Sequence, residues 1–484
     1  MTEDRISGDI RDRMDDYKNE VEQRSGTLAL SENEGYVGDT ITFEGLDLPA
    51  GERFDVVWHS VEGRWGVIQG NDIRDPQYRT RTEAILTATT DDDGRFTERW
   101  EIHEDYGGDH VVEIKNRRGT VLDSSHFVIK PHFELDETTK PLGDSFHLTG
   151  YGLGPDRVTN NYQVSWDNGY VGFMTGVKNG GTVNARVRAV GPVGKHAFQV
   201  WRSHRGLPFL QGNTQSPLGP VADGRQTRWT VEVTEPEERP PTAWVDPQLD
   251  ERPLKSHLVE PDEETEATLE ITPTSGQPGT DAVITGHNFP ADTEVDLVWY
   301  THAGHRFMNE KVTPEPRPGV LPTVVTDGDG NFNCGVPIPC DVGETRPILA
   351  EIDGRSVAST GFMLQADVRQ MTPTEGPVGT EITFEIEGIG FPIYGNNYAV
   401  VYDNDYVGYI CSHNRSDSKE ESGLVKFTLQ AGGQPGLHFI DVIPSFNETK
   451  VEELWIEDRP HLSYLDNHPV RPLPAMHFTF EVTE

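Results

Sequence analysis

Few residues in this chain stand at the spacings that chemistry requires. Asp327-Gly328-Asp329-Gly330-Asn331 places oxygen-bearing side chains at alternate positions, as a loop does when it wraps a hard cation such as Ca2+. The bidentate Glu that closes an EF-hand does not follow, and the matching run Asp91-Asp92-Asp93-Gly94 is incomplete in the same way. Both runs lead into a strand start, Asn331-Phe332 and Arg95-Phe96. A β-turn is therefore the first reading and a weak Ca2+ or monovalent-cation site on Asp327, Asp329 and Asn331 the second. His110, His196 and His438 each stand two residues after a glycine. A recurring histidine invites a metal assignment, but these three fall in separate units and cannot converge, so a histidine at a strand start, bonded to nearby backbone, is expected. The last group is aromatic: Trp166, Tyr170 and Phe173, echoed by Tyr402, Tyr406 and Tyr409. These rings flank Asp167-Asn168-Gly169 and Asp403-Asn404-Asp405, where Asn-Gly is a favoured hairpin turn. They read first as hairpin structure, and second as a ligand platform on which a sugar face stacks.

Catalysis has no signature here. There is no Gly-x-Ser-x-Gly elbow, His-Glu-x-x-His, P-loop or dinucleotide fingerprint. Carboxylates are too abundant for counting to rule out a glycosidase pair, but such a pair needs a cleft, and isolated sandwiches offer few. Three cysteines, Cys334, Cys340 and Cys411, do not build a disulfide framework; free thiols are expected, with a Cys334–Cys340 bridge as the alternative. No zinc-ligand spacing appears. The expectation is a protein that is not an enzyme and carries no cofactor.

The elements that hold these residues are written twice. Asn160 to Phe173 (NNYQVSWDNGYVGF) returns as Asn396 to Tyr409 (NNYAVVYDNDYVGY) at a constant offset of 236. Upstream, Gly38, Gly45, Pro49, Asp55 and Trp58 answer Gly279, Gly286, Pro290, Asp296 and Trp299. Each half holds two smaller units. All four open on a glycine followed by alternating polar and apolar residues, at Gly38, Gly143, Gly279 and Gly379. That alternation is the period of a half-buried strand, and the glycine supplies a turn that a side chain resists. With roughly 100 residues per unit and Gly/Pro/Asn/Asp punctuation, the pattern predicts β-sandwiches.

The openings Ile271-Thr272-Pro273-Thr274-Ser275-Gly276-Gln277-Pro278-Gly279-Thr280 and Met371-Thr372-Pro373-Thr374-Glu375-Gly376-Pro377-Val378-Gly379-Thr380 resemble IPT/TIG-type immunoglobulin-like domains, as do Gly286-His287-Asn288-Phe289-Pro290 and Pro435-Gly436-Leu437-His438. Units three and four carry the resemblance more clearly than one and two. It implies binding and spacer modules without their own catalysis, and it identifies a fold, not a ligand. The predicted architecture is all-β: four tandem immunoglobulin-like β-sandwiches (26–131, 132–235, 267–366, 367–484) arranged as two duplicated pairs. A short N-terminal amphipathic helix (1–25) precedes them, and an acidic Pro-rich linker (236–266) separates the pairs. That linker is expected to be extended, giving two stiff pairs joined by one looser link.

In the helix, Ile6, Ile10, Met14, Tyr17 and Val21 form one narrow stripe. It either folds back on the first sandwich or docks into a partner. Acids dominate its other face, which argues against a membrane surface. Two long loops, 203–225 and 456–473, precede the last strands of units two and four, where sandwiches usually carry recognition.

Charge sets the habitat. There are 80 acidic against 41 basic residues, a net charge of −39, and only 11 of the basic residues are lysine. In molar salt the Debye length falls to about 3 Å and such self-repulsion is screened. A halophilic archaeon or its virus is expected. Nucleic acid is excluded as partner, because no basic stripe exists to neutralise phosphates. No apolar stretch of export or membrane-span character is seen, and membrane insertion is not expected. These observations point to a virion or tail-like particle assembled in the cytoplasm, with the chain as capsid decoration, turret, spike or fibre. Its expected partners are other particle or surface proteins, further copies of itself, and an envelope glycan or glycoprotein. The alternatives are a secreted or cell-surface adhesin and an accessory module of an enzyme complex.

Overall fold

The computed structural model describes residues 28–68, 72–155, 161–177, 179–203, 226–248, 258–303, 313–389, 397–411, 423–444, 449–451, 454–456 and 474–484. The expected N-terminal helix with its stripe Ile6, Ile10, Met14, Tyr17 and Val21, and the loop residues 204–225 and 457–473, lie outside them. Among the described residues every regular element is a strand.

Sandwich 1 sets β1 (Leu28–Leu30), β3 (Thr40–Gly45) and β6 (Phe96–Glu101) against a second sheet. That sheet runs β2 (Glu34–Gly35), β8 (Val121–Ile129), β7 (Gly108–Asn116), β4 (Arg53–Ile68), β5 (Asp72–Thr89). Sandwich 2 sets β14 (Val183–Arg188), β11 (Ser145–Tyr151) and β9 (His132–Leu135) against β10 (Thr139–Pro141), β16 (Gln226–Thr234), β15 (Gly194–Ser203), β12 (Asn161–Trp166), β13 (Gly169–Thr175). Sandwich 3 sets β18 (Thr268–Thr272), β20 (Asp281–His287) and β24 (Phe332–Pro337) against β19 (Ser275–Gly276), β26 (Arg355–Leu364), β25 (Glu344–Ile352), β21 (Glu294–Ala303), β22 (Thr313–Arg317), with β23 (Thr323–Val325) also on β21. Sandwich 4 sets β27 (Asp367–Thr372), β29 (Glu381–Glu387) and β32 (Val425–Gln430) against β17 (Ala243–Val245), β36 (Met476–Thr483), β33 (Gly436–Pro444), β30 (Asn397–Tyr402), β31 (Asp405–Cys411), with β28 (Glu375–Pro377) also on β36. A separate hairpin pairs β34 (Thr449–Val451) with β35 (Leu454–Ile456).

One plan thus recurs four times. A short strand crosses to the larger sheet and pairs in parallel with its last long strand, as β2 with β8, β10 with β16, β19 with β26 and β28 with β36. This is the immunoglobulin-like sandwich the alternation predicted. In β29, Ile382, Phe384 and Ile386 are buried while Glu381 is exposed. The opening glycines Gly38, Gly143, Gly279 and Gly379 all take left-handed φ angles of 82–96°. Each sandwich has its own core, around Trp58 and Phe127, Phe146 and Phe198, Trp299 and Phe362, and Phe384 and Phe478.

Within each half the sandwiches meet backbone to backbone. A Cβ on Gly107 would fall 1.8 Å from the carbonyl of Gly152, and one on Gly343 2.3 Å from that of Gly388. Beside each contact lies a buried aspartate. Asp105 accepts from Trp58 Nε1 (2.9 Å), Ser60 Oγ (2.5 Å) and its neighbour's amide (2.8 Å). Asp341 accepts from Trp299 Nε1 (2.7 Å), Thr301 Oγ1 (2.6 Å) and the Val342 amide (2.8 Å).

The linker, expected as an extended connector, is partly built into the second half. Its residues Ala243–Val245 form β17, antiparallel to β36 on the sheet of sandwich 4. Ala243 and Val245 pack against that core, and Arg239 reaches Glu481 at 2.5 Å. Further on, Asp262 caps Ser356 of sandwich 3. Apolar residues just after the prolines bury against an open sheet edge, which outweighs the stiffness that proline and acid density confer.

Candidate functional site

The aromatic hairpins are built alike. Asp167 (φ 48°) and Asn168 (φ 69°) form one two-residue turn, and Asp403 (φ 47°) and Asn404 (φ 69°) the other. Both central residues are left-handed, as the type I′ turn requires. The turn residues are therefore Asp-Asn and not the expected Asn-Gly, since Gly169 already pairs with Trp166 as the first residue of β13. This is why Asp405 can stand at the matching place in the second copy.

Each turn aspartate ties its hairpin to the next strand. Asp167 takes a hydrogen bond from the Ala197 amide (2.8 Å) and meets His196 Nδ1 (2.6 Å); the other ring nitrogen reaches the Pro192 carbonyl at 2.7 Å. Asp403 does the same with the Phe439 amide (2.9 Å) and His438, whose Nε2 reaches Gln434 O at 2.7 Å. His110 likewise bonds the carbonyls of Tyr106 (2.7 Å) and His59 (2.9 Å). The recurring histidine thus sits where a strand starts, bonded to backbone. Burial opposes the charged form of His438, but Asp403 outweighs it and raises the pKa above the ordinary histidine value.

The six aromatic residues divide. Trp166 is core, stacked on His196 at 5.0 Å. Tyr402 is half-buried and donates its hydroxyl to Gly432 O at 2.9 Å. Phe173 is half-buried. Tyr170, on edge strand β13, lies against β31; burial and Tyr406 push its phenol up to about 12. Tyr406 (44%), Val407 (52%) and Tyr409 (61%) are exposed on edge strand β31. Of the aromatic set, Tyr406 and Tyr409 alone are exposed to that extent.

Asp327 is occupied by its own loop, accepting from the amides of Asp329 (3.0 Å) and Asn331 (2.8 Å). Asp91 does the same with Asp93 and Arg95. Asn331 contacts His287 Nδ1 at 3.0 Å. The arrangement is a turn that starts a strand. Cys334 and Cys340 are free thiols, each half-buried. Among the described residues no helix is long and apolar enough to cross a membrane.

A further cluster, not foreseen from the sequence, joins the halves. Arg188, at the end of β14, makes a two-pronged contact with Asp441 of β33 (Nη2–Oδ1 2.8 Å, Nε–Oδ2 3.0 Å) and donates to Gly143 O at 2.6 Å. His477 of β36 meets Asp441 through Nδ1 (2.7 Å) and Asp246, just after β17, through Nε2 (3.2 Å). Trp244 stacks on His477 at 4.8 Å, and Arg188 lies over both Trp244 and Phe439. Phe439, though on β33, belongs to the core of sandwich 2. Asn404 Nδ2 donates to Arg188 O at 2.8 Å. Burial disfavours the Asp441 carboxylate, but Arg188 and His477 hold its pKa well below the usual range. Burial disfavours charged His477 too, yet Asp246 and Asp441 raise its pKa. Each ring nitrogen faces a carboxylate, while Arg188 Nη2, 2.8 Å from Nδ1, works against the charged ring.

The signal for this cluster was in the repeat. Strand register matches Arg188 to Gln430, Asp441 to Gln199, His477 to Arg228 and Phe439 to Ala197. The contact sits where the copies differ.

No family model and no curated protein matches the chain. Solved structures similar to it include a Salmonella α-2-macroglobulin reacted with methylamine (8% identity, TM-score 0.18, 95% of this chain and 31% of that one). Others are the four-domain ectodomain fragment of ICAM-5 (10%, 0.15, 89% and 98%) and the Escherichia coli adhesin FdeC (13%, 0.16, 70% and 99%). The chain spans about a third of the macroglobulin. Such scores are too low to superpose the arrays as wholes, and the fold rests on the sheet topology above.

Proposed function

We propose that this protein is a non-enzymatic structural and attachment protein of the IPT/TIG type, a component of a halophilic archaeal virus or tail-like particle. It presents binding surfaces toward the cell envelope, and its target is an envelope glycan or glycoprotein. The observation that carries the reading is the strip Tyr406–Val407–Tyr409, exposed on strand β31, the last strand of its sheet, beside β13 of sandwich 2. Exposed aromatic rings on a rigid edge are suited to stacking on sugar faces. The composition supports a high-salt setting, because −39 charges on a folded surface are tolerated where salt screens them.

The test is retention of the purified chain on halophile envelope preparations in molar salt. Wild type binds, and Tyr406→Ala/Tyr409→Ala loses binding by about tenfold or more. Undiminished binding by the double variant removes the strip as the site. Copurification with particles, and its loss when residues 1–25 are deleted, separates the particle component from a cell-surface adhesin.

A further inference from the structure

In β12, Tyr162, Val164 and Trp166 turn into the core of sandwich 2, so Gln163 and Ser165 stand on the opposite face of the sheet. Strand pairing sets Gln163 between Phe173 of β13 and Trp201 of β15, and Ser165 between Tyr170 and Gln199. Strands lie about 4.8 Å apart, so the backbones of Phe173 and Trp201 are about 10 Å apart with the amide between them.

Gln163 is 1% exposed, and among the described residues neither its Nε2 nor its Oε1 has a hydrogen-bond partner. An amide has two donor hydrogens and an acceptor oxygen, and leaving them unmet in the interior is costly. The indole beside it is held. Trp201 Nε1 donates to Ser165 Oγ at 3.3 Å, and the Arg228 guanidinium lies 5.8 Å from the centre of the Trp201 ring. The second copy does without this set. By register, Gln163, Ser165 and Trp201 become Ala399, Val401 and Ile443 in sandwich 4. The same sandwich thus forms with apolar residues at these places, and the unmet amide is a cost that the fold does not require. Such a cost is the mark of a functional position.

The chemistry of the set selects a ligand class. A primary amide offers a donor and an acceptor in one plane, which matches two adjacent hydroxyl groups. An indole and a phenyl ring offer apolar faces to C–H groups. An apolar ligand would leave the amide unmet, and a peptide strand would pair with a sheet edge instead of its face. A pyranose meets both demands. The place also adjoins the Tyr406–Tyr409 strip, since β13 lies against β31.

We propose that Gln163, Trp201 and Phe173 form a sugar subsite on sandwich 2 that takes one neutral pyranose. Its adjacent hydroxyls bond the Gln163 amide and its C–H face stacks on Trp201. Phe173 and Trp201 are the half-buried rim, and a rotation of Phe173, on the edge strand, admits the sugar to the amide. The inference rests on the glycan reading above and gives it a second, separate set of residues.

Ligand-observed NMR titration of the full chain in molar salt tests it, with the methyl glycosides of glucose, mannose and galactose as probes. Wild type is expected to bind at least one of them. Gln163→Met, which keeps the volume and removes the amide, is expected to lose affinity by about tenfold or more. Its unfolding temperature is expected to rise by about 4 °C, because an unmet buried group is gone. Trp201→Ala is expected to lose the affinity as well. Absence of binding by wild type overturns the proposal, as does undiminished affinity in Gln163→Met. A lowered unfolding temperature in Gln163→Met also overturns it, because the amide then serves the fold. If wild type is retained on envelope preparations and binds no glycoside, this subsite falls and the attachment reading stands. If it binds a glycoside through Gln163 and is not retained, the attachment reading falls and the subsite stands.

Discussion

Asp341 is enclosed and acidic, and it holds together the groups around it. It accepts from Trp299, Thr301 and its neighbour's amide, and Arg317 stands 3.3 Å away. Removing the carboxylate takes the acceptor from the Trp299 indole N–H in the interior and breaks its bond with Thr301. Asp341→Ala is expected to destabilise sandwich 3 by about 3 kcal/mol, seen as an earlier transition in calorimetry. The aromatic residues can be separated by the same logic. Trp166→Ala should cost about 3–5 kcal/mol because it opens a cavity, while Tyr409→Ala should leave stability within about 0.5 kcal/mol and act on binding alone. The pH dependence of the cluster around Asp441 follows from two opposite shifts. His477 is raised, so its contribution is complete below about 6.5 and is lost as pH rises through its folded value. Asp441 is depressed, so its contribution is complete above about 4 and is lost as pH falls toward its folded value. Both are at full strength between about pH 4 and about pH 6.5. An unfolding temperature of sandwich 4 that stays flat across both limits contradicts this.

At the scale of elements, most of the strands were legible, because a strand with one buried face must alternate and these do. The left-handed glycines at each unit's opening were legible for a steric reason. The hairpins were legible as turns but not in register: Asp-Asn was hidden behind the stronger Asn-Gly signal, and only strand pairing distinguishes them. The linker was misread because composition reports stiffness and not the presence of an unpaired sheet edge nearby. The aspartate–histidine ties were invisible since their partners are about 30 residues apart. Rigidity inside each half depends on glycine at the junctions. Gly107→Ala and Gly343→Ala are expected to force the sandwiches apart, because a methyl group cannot occupy a position about 2 Å from a carbonyl oxygen. Broadened interdomain distances in scattering or spin-label measurements would record it; unchanged distances would show that the junctions yield.

Across the whole molecule, charge and folding are coupled through solvent. With −39 charges on the chain, raising NaCl from about 0.1 M to about 3 M is expected to raise the unfolding temperature, since the Debye length contracts from about 10 Å to under about 3 Å. A salt-indifferent unfolding temperature contradicts the high-salt assignment. The pairing of β17 with β36 has a consequence for how the protein is made. Thr479 donates to Pro241 across 238 residues of chain, so the ribosome must deliver β36 before the linker can find its edge. The first sandwich can emerge and fold while the second pair is still unmade, whereas sandwich 2 completes its core only when Phe439 arrives. The place of the linker is decided late, by the arrival of a strand 238 residues further along the chain.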